Sequence, residues 1–127
     1  MKKFSKHWKG SKKPKKQRKY IYNAPLHIRS KLISTNLSKE LRKKYGMRNI
    51  SVRKGDKVKI VRGQFKNKVG KIERVDLGKL RAYVEGIEMI RKDGTKSLFP
   101  IHPSNLMIIE MNLDDKKRLK RIKKETK

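Results

Sequence analysis

No cysteine occurs among the 127 residues. Disulfide crosslinks are therefore excluded, and so is structural zinc held by thiolates. No apolar run approaches the roughly 18 to 20 residues that a helix needs to cross a bilayer, and Met1-Lys2-Lys3 is not followed by the apolar stretch of a signal peptide. A Met-Gly start for myristoylation and a prenylation cysteine are missing too, so a cytoplasmic chain is the default expectation. Acid is scarce as well. Eleven Asp and Glu stand against 39 Lys and Arg, a formal net charge of +28, and such a surface repels itself unless a partner neutralises it. With 34% hydrophobic residues the core must be small. The length then fits one domain, or a small domain with tails.

Groupings that carry catalysis are also lacking. Glu73, Asp76, Glu85 and Glu88 fall between Lys and Arg on predicted strands, where cross-strand ion pairing is the ordinary explanation. His7, His27 and His102 have no metal-ligand spacing. Gly55 to Gly63 is neither a Walker loop nor a dinucleotide fingerprint, and no Ser sits in a nucleophile motif. Neither an enzyme nor a cofactor, metal or small-molecule substrate is expected.

What is present is positive charge, unevenly spread. Glu40 is the single acid before residue 56, against nineteen Lys and Arg in the same stretch. A polyanion is the simplest partner, because each phosphate contact releases condensed counterions. Residues 1–24 form a basic extension with thin apolar content. As a free chain it is expected to be irregular, and on RNA to order, with Trp8, Tyr20 and Tyr22 as stacking faces. Asn23-Ala24-Pro25 reads as a helix start. Leu26, Ile28, Leu32 and Ile33 continue it to about Ser34. A second short helix is expected from Ser38 to Tyr45, with Leu37, Leu41 and Tyr45 packing inward and Gly46 as its stop. These helices occupy 25–49, and Met47 to Lys54 links them to a β module at 50–111.

That module is organised around Lys54 to Gly86. Val58 and Ile60 alternate with Lys57 and Lys59, the period-2 pattern of a half-buried strand. Gly63 to Gly70 turns the chain through a basic loop, a second strand starts at Gly70-Lys71-Ile72, and Leu80, Ala82 and Val84 alternate in a third. Glycines at 55, 63, 70, 78, 86 and 94 read as turn signals between short strands. Gly63 and Gly70 also offer a backbone that a phosphate or ribose can approach closely. Asp93-Gly94 is a hairpin signal, while Pro100 and Pro103 keep their segment at a sheet edge or outside it. Leu106 to Ile109 makes the last strand. Residues 112–127 read as a charged helix capped by Asn112, with Asp114 and Asp115 in its first turn and Lys123, Lys124 and Lys127 at its far end.

Gly55-Asp56-x-Val58, Gly63, Lys66, Gly70-Lys71-Ile72, Val75 and Val84-Glu85-Gly86 resemble the KOW motif of ribosomal proteins and some transcription elongation factors. Asn67 departs from the glycine common at that position, but Asn tolerates positive φ. The order Lys44-Tyr45-Gly46, Val52-Arg53-Lys54-Gly55-Asp56, Gly94-Thr95 and Ile101-His102-Pro103-Ser104-Asn105 narrows the likeness. From about Pro25 to Ile109 the chain is similar to the large-subunit ribosomal protein twenty-four family in its archaeal form, protein twenty-six in eukaryotes. The resemblance implies a mainly β fold, a small SH3-like barrel with short N-terminal helices. It also implies a structural protein of the large ribosomal subunit that binds the 5′ domain of the rRNA, helps initiate assembly and sits beside the polypeptide exit tunnel. Neighbouring large-subunit proteins would be its other partners.

The candidate rRNA contacts in the arm are Trp8, Lys12, Lys13, Lys15, Lys16, Arg18, Lys19 and Tyr20. Arg48, Arg53, Lys54 and Lys57 follow at the entrance to the barrel. In and beside the loop are Arg62, Gln64, Phe65, Lys66, Asn67, Lys68 and Lys71, and in the following turn His102, Ser104 and Asn105. Recognition of RNA shape and backbone is expected over sequence. The alternative from another class is a KOW-type elongation regulator contacting polymerase and nascent RNA. A DNA-packing protein suits the tail but not the loop.

Overall fold

The computed structural model describes residues 4, 5, 7 and 10–125. Pro14 opens helix α1 (Pro14–Asn23), where its missing N–H costs nothing and its fixed φ already suits a helix. Lys, Gln and Arg then propagate the helix well, although it buries no residue. The extension is thus partly helical, not irregular throughout. Asn23 is the last residue of α1, so it does not cap the next helix. Helix α2 (Leu26–Leu32) follows Pro25 with no capping side chain. The apolar stripe expected there is incomplete: Leu26 is 68% exposed, and the residue that reaches the core is Ile33, just past the helix end.

Two strands lie where the sequence reading had helix and linker. Strand β1 (Ser34–Leu37) pairs antiparallel with β2 (Asn49–Ser51) and parallel with the final strand. Between them α3 (Lys39–Tyr45) forms as expected. The Leu41 N–H donates to Ser38 Oγ at 3.3 Å, and Gly46 ends the helix at φ 64°. Leu41 and Tyr45 pack against the core.

Strand β3 (Lys57–Ile60) buries Val58 and Ile60, as its alternation requires. It is followed by β4 (Val69–Asp76), β5 (Arg81–Ile90), β6 (Lys96–Ile101) and β7 (Leu106–Glu110). The seven strands run in the order β2-β1-β7-β3-β4-β5-β6. Pro100 is accommodated because β6 is an edge strand. The start of β4 pairs with β3, and its later residues pair with β5 across an irregularity between Ile72 and Arg74. That break lets the sheet coil around one apolar cluster, to which β1, β3, β4, β5, β6 and β7 all contribute. The fold is mainly β with small helices, consistent with an SH3-like barrel.

Not every glycine is a turn. Gly86 lies inside the ten-residue β5 with φ 76°, at a register break that bends the strand. Gly70 lies inside β4, and a Cβ there would meet Val84 Cγ1 at 2.7 Å and the Glu85 carbonyl oxygen at 2.8 Å. Close approach of β5 therefore accounts for Gly70, and the position is not open to a phosphate on that side. Gly70→Ala is expected to destabilise the barrel by about 1–3 kcal/mol, read as a lowered urea midpoint with an unchanged slope.

Helix α4 (Lys116–Glu125) begins later than the sequence suggests. Asp115 caps it, accepting the Lys117 N–H at 2.8 Å, whereas Asn112 accepts the Asp114 N–H in a separate turn. Lys127, expected at its far end, lies outside the described residues. The helix docks through Ile122, which joins the core, and through Arg118, which is 4% exposed. Arg118 donates from Nη1 to Asp56 Oδ1 (2.6 Å) and from Nη2 to Asp56 Oδ2 (2.8 Å). Asp56 is fully buried and also accepts the N–H groups of Arg53 and Asn112, each at 2.9 Å.

Candidate nucleic-acid interface

The loop between β3 and β4 is shaped by its own backbone. Ile60 N–H donates to the Lys68 carbonyl (2.9 Å), and Asn67 N–H returns to the Ile60 carbonyl (2.8 Å). Inside that closure Lys66 N–H bonds Gly63 and Lys68 N–H bonds Phe65, at 3.1 Å each. Asn67 adopts φ 69°, as the departure from glycine led one to expect, and Gly63 takes φ 93°. With the loop closed by these main-chain bonds, Arg62, Gln64, Lys66, Asn67 and Lys68 are exposed to solvent. Phe65 does not. It is half-buried against Phe99, with ring centroids 5.1 Å apart, and Lys68 Nζ lies 5.2 Å from its ring. Its place is under the loop, as the packing that holds the cations up.

The His102–Asn105 turn adjoins this loop, because Val61 N–H donates to the Asn105 carbonyl at 2.8 Å. His102 caps the 3-10 turn Pro103–Asn105: its Nδ1 accepts the Ser104 N–H at 3.3 Å and lies 2.8 Å from Ser104 Oγ. Burial, and then the positive charge of Arg81, hold its pKa below the ordinary 6.5. At neutral pH the ring is therefore uncharged. Such a ring can exchange a hydrogen bond with a ligand but supplies no positive charge.

The remaining candidates form two other groups. Arg53, Lys54 and Lys57 lie at the opposite end of β3 from the loop. Arg53 there pairs with Asp115, and Lys57 pairs with Glu110 at 2.8 Å. The Lys57–Glu110 pair is solvent-exposed and the Arg53–Asp115 pair partly so, which keeps their energetic value small, so a phosphate is able to compete for either cation. Arg48 is exposed beside β2, and Lys71 projects from β4. In the arm, Lys12, Lys13, Lys15, Lys16, Arg18 and Lys19 are all exposed along or just before α1. Tyr20 is half-buried on Phe4, with centroids 4.9 Å apart, and Trp8 lies outside the described residues. The structure thus joins the loop to the turn and keeps the arm and the Arg53–Lys57 segment apart from them.

Of the acids expected to form cross-strand ion pairs, Glu88 does so with Lys96 at 3.7 Å. Asp76 instead accepts the Lys79 N–H at 3.0 Å in the β4–β5 turn, a bond that lowers its pKa. No cluster of potential metal ligands occurs among the described residues. Nor, among them, is any helix long and apolar enough to cross a membrane.

Residues 11–125 match the family of the eukaryotic ribosomal proteins L26 and their archaeal counterparts, the large-subunit proteins twenty-four. The chain belongs to this family. It is accordingly a structural ribosomal protein of the large subunit, in a family that is non-enzymatic, with rRNA and other large-subunit proteins as its class of partner. The match covers the arm from Ser11, the barrel and α4 together, so the likeness extends well beyond residues 54–86. It gives no support to the elongation-regulator alternative.

Proposed function

We propose that the chain binds large-subunit rRNA directly, through backbone and shape, using three cationic groups. These are the 62–68 loop with the adjoining 102–105 turn, the Arg53–Lys57 segment, and the arm carried by α1. The observation that carries this reading is the loop. Main-chain bonds close and shape the loop while its Lys and Arg side chains are exposed, an arrangement suited to phosphates in a chain of net charge +28. The arm supplies neutralising charge where RNA helices crowd together. The likeness to the family further supports contact with the 5′ domain of the rRNA, an early role in assembly, and a site beside the exit tunnel. Division of the chain into arm, helices, barrel and C-terminal helix fits these three modes of contact.

Ribosome fractionation tests the reading. The chain is expected to co-sediment with large subunits and to stay with them in a high-salt wash. Recovery with polymerase or DNA instead would overturn it.

A further inference from the structure

Helix α1 does not leave the barrel as a loose tail, because its carboxyl end is gripped. Arg29, in α2, donates from Nη2 to the Tyr22 carbonyl (2.6 Å), from Nε to the Ala24 carbonyl (2.9 Å) and from Nη1 to the Gly78 carbonyl (3.2 Å). The first is at the end of α1, where carbonyls lack helical partners and a cation complements the helix dipole. The third belongs to the β4–β5 turn, 49 residues away in the chain. That turn is in turn set by Asp76 holding the Lys79 N–H. One planar guanidinium therefore bridges the end of the basic helix and one turn of the barrel, a geometry that an ammonium group cannot reproduce.

The grip has a specific result at Tyr22. Its backbone is fixed through its carbonyl, yet its side chain is left 80% exposed. Arg18 and Lys19, one turn earlier, share its face of the helix and are exposed as well. No acid occurs anywhere before Glu40. We propose that Arg29 is a positioning residue that holds α1 on the barrel and presents Tyr22 as a stacking platform for an unpaired rRNA base, with Arg18 and Lys19 on the flanking phosphates. An aromatic ring beside cations is the chemistry by which splayed bases are bound. Tyr20 is not the platform, since its ring is taken by Phe4. This inference rests on the rRNA reading above, and two arms of one experiment separate their failures.

The chain has no native cysteine, so spin labels at Lys15→Cys and Glu73→Cys report the placement of α1 on the barrel in the free protein. A single narrow distance distribution is expected, broadened by Arg29→Lys. A distribution that Arg29→Lys leaves narrow overturns the grip. In the second arm, binding to a transcript of the rRNA 5′ domain is titrated at fixed salt. Tyr22→Ala is expected to weaken it about tenfold, Tyr22→Phe to restore it, and Arg29→Lys to weaken it with the charge count intact. In the Arg29→Lys background, Tyr22→Ala should cost less than it does alone. Equal affinity of Tyr22→Ala and the wild type overturns the stacking role. Failure of the wild type to bind overturns both that role and the rRNA reading, and the label distances still decide the grip.

Discussion

Arg118→Met is expected to lower the free energy of unfolding by about 3–5 kcal/mol, the usual result of stripping one partner from a buried ion pair. Asp56 is fully buried and Arg118 is 4% exposed, so the stranded carboxylate would have no water to replace the guanidinium. The methionine keeps most of the apolar stem of the side chain, although it is shorter than arginine. What is lost is the charge and the two donations to Asp56, together with those to the carbonyls of Asn112 (2.9 Å) and Ser51 (3.3 Å). Urea unfolding at fixed pH measures the loss. Against a total stability of roughly 5–15 kcal/mol for a domain of this kind, the variant should sit near the edge of folding at physiological temperature. Adding Asp56→Leu should recover part of the loss, because the stranded charge disappears. The N–H groups of Arg53 and Asn112 would remain unpaired, so recovery stays incomplete. A loss below about 1 kcal/mol would show that the pair is solvated.

Reversing charge in the loop should act in the opposite way, large on binding and small on folding. With Lys66, Lys68 and Lys71 all replaced by Glu, affinity for the rRNA 5′ domain is expected to fall on the order of 100-fold or more, and the slope of log K against log salt to flatten by about three. The loop backbone is closed by main-chain bonds that none of these side chains makes. The cation–π contact of Lys68 with Phe65 is the one packing term removed, worth about 0.5–1 kcal/mol at an exposed site. Lys71 stands opposite Lys57 in the β3–β4 register, so a glutamate there replaces a like-charge pair by an attractive one. Circular dichroism melts should therefore stay close to those of the parent protein. Normal assembly of the triple variant into large subunits would show that the loop is not an rRNA contact.

Legibility in the sequence followed the length and regularity of each element. Val58 and Ile60 declare β3 by their period-2 alternation, and Ser38, Leu41, Tyr45 and Gly46 declare α3, which carries both a period and its caps. Strands β1 and β2 escaped notice for the opposite reason. Four and three residues are too few to show a period, and the pairing of β1 with β7 joins Asn36 to Met107 across more than half of the chain. Gly70 and Gly86 read as turns because a glycine's need for space, or for a bent strand, looks locally the same as its need for positive φ. In the candidate interface, charge alone located the exposed Lys and Arg. It did not distinguish Phe65, which packs beneath the loop, from a base-stacking ring, nor did it reveal that Arg53 and Lys57 have acidic neighbours in α4's approach and in β7. Arg29 and Arg118 were invisible for the same reason. Among 39 basic residues, nothing local marks the two whose partners are carbonyls and a buried carboxylate far away in sequence.

The union of Asp56 with Arg118 also sets a clock. The two residues are 62 positions apart, and at translation rates of roughly 5–20 residues per second the carboxylate waits on the order of 3–12 s for its counterion. During that interval the nascent protein has the buried acid of its barrel but not the helix that neutralises it. A product cut short before residue 118 never closes that gap, and its own instability exposes it to proteolysis. Copies extended past Arg118 are therefore the ones expected to persist.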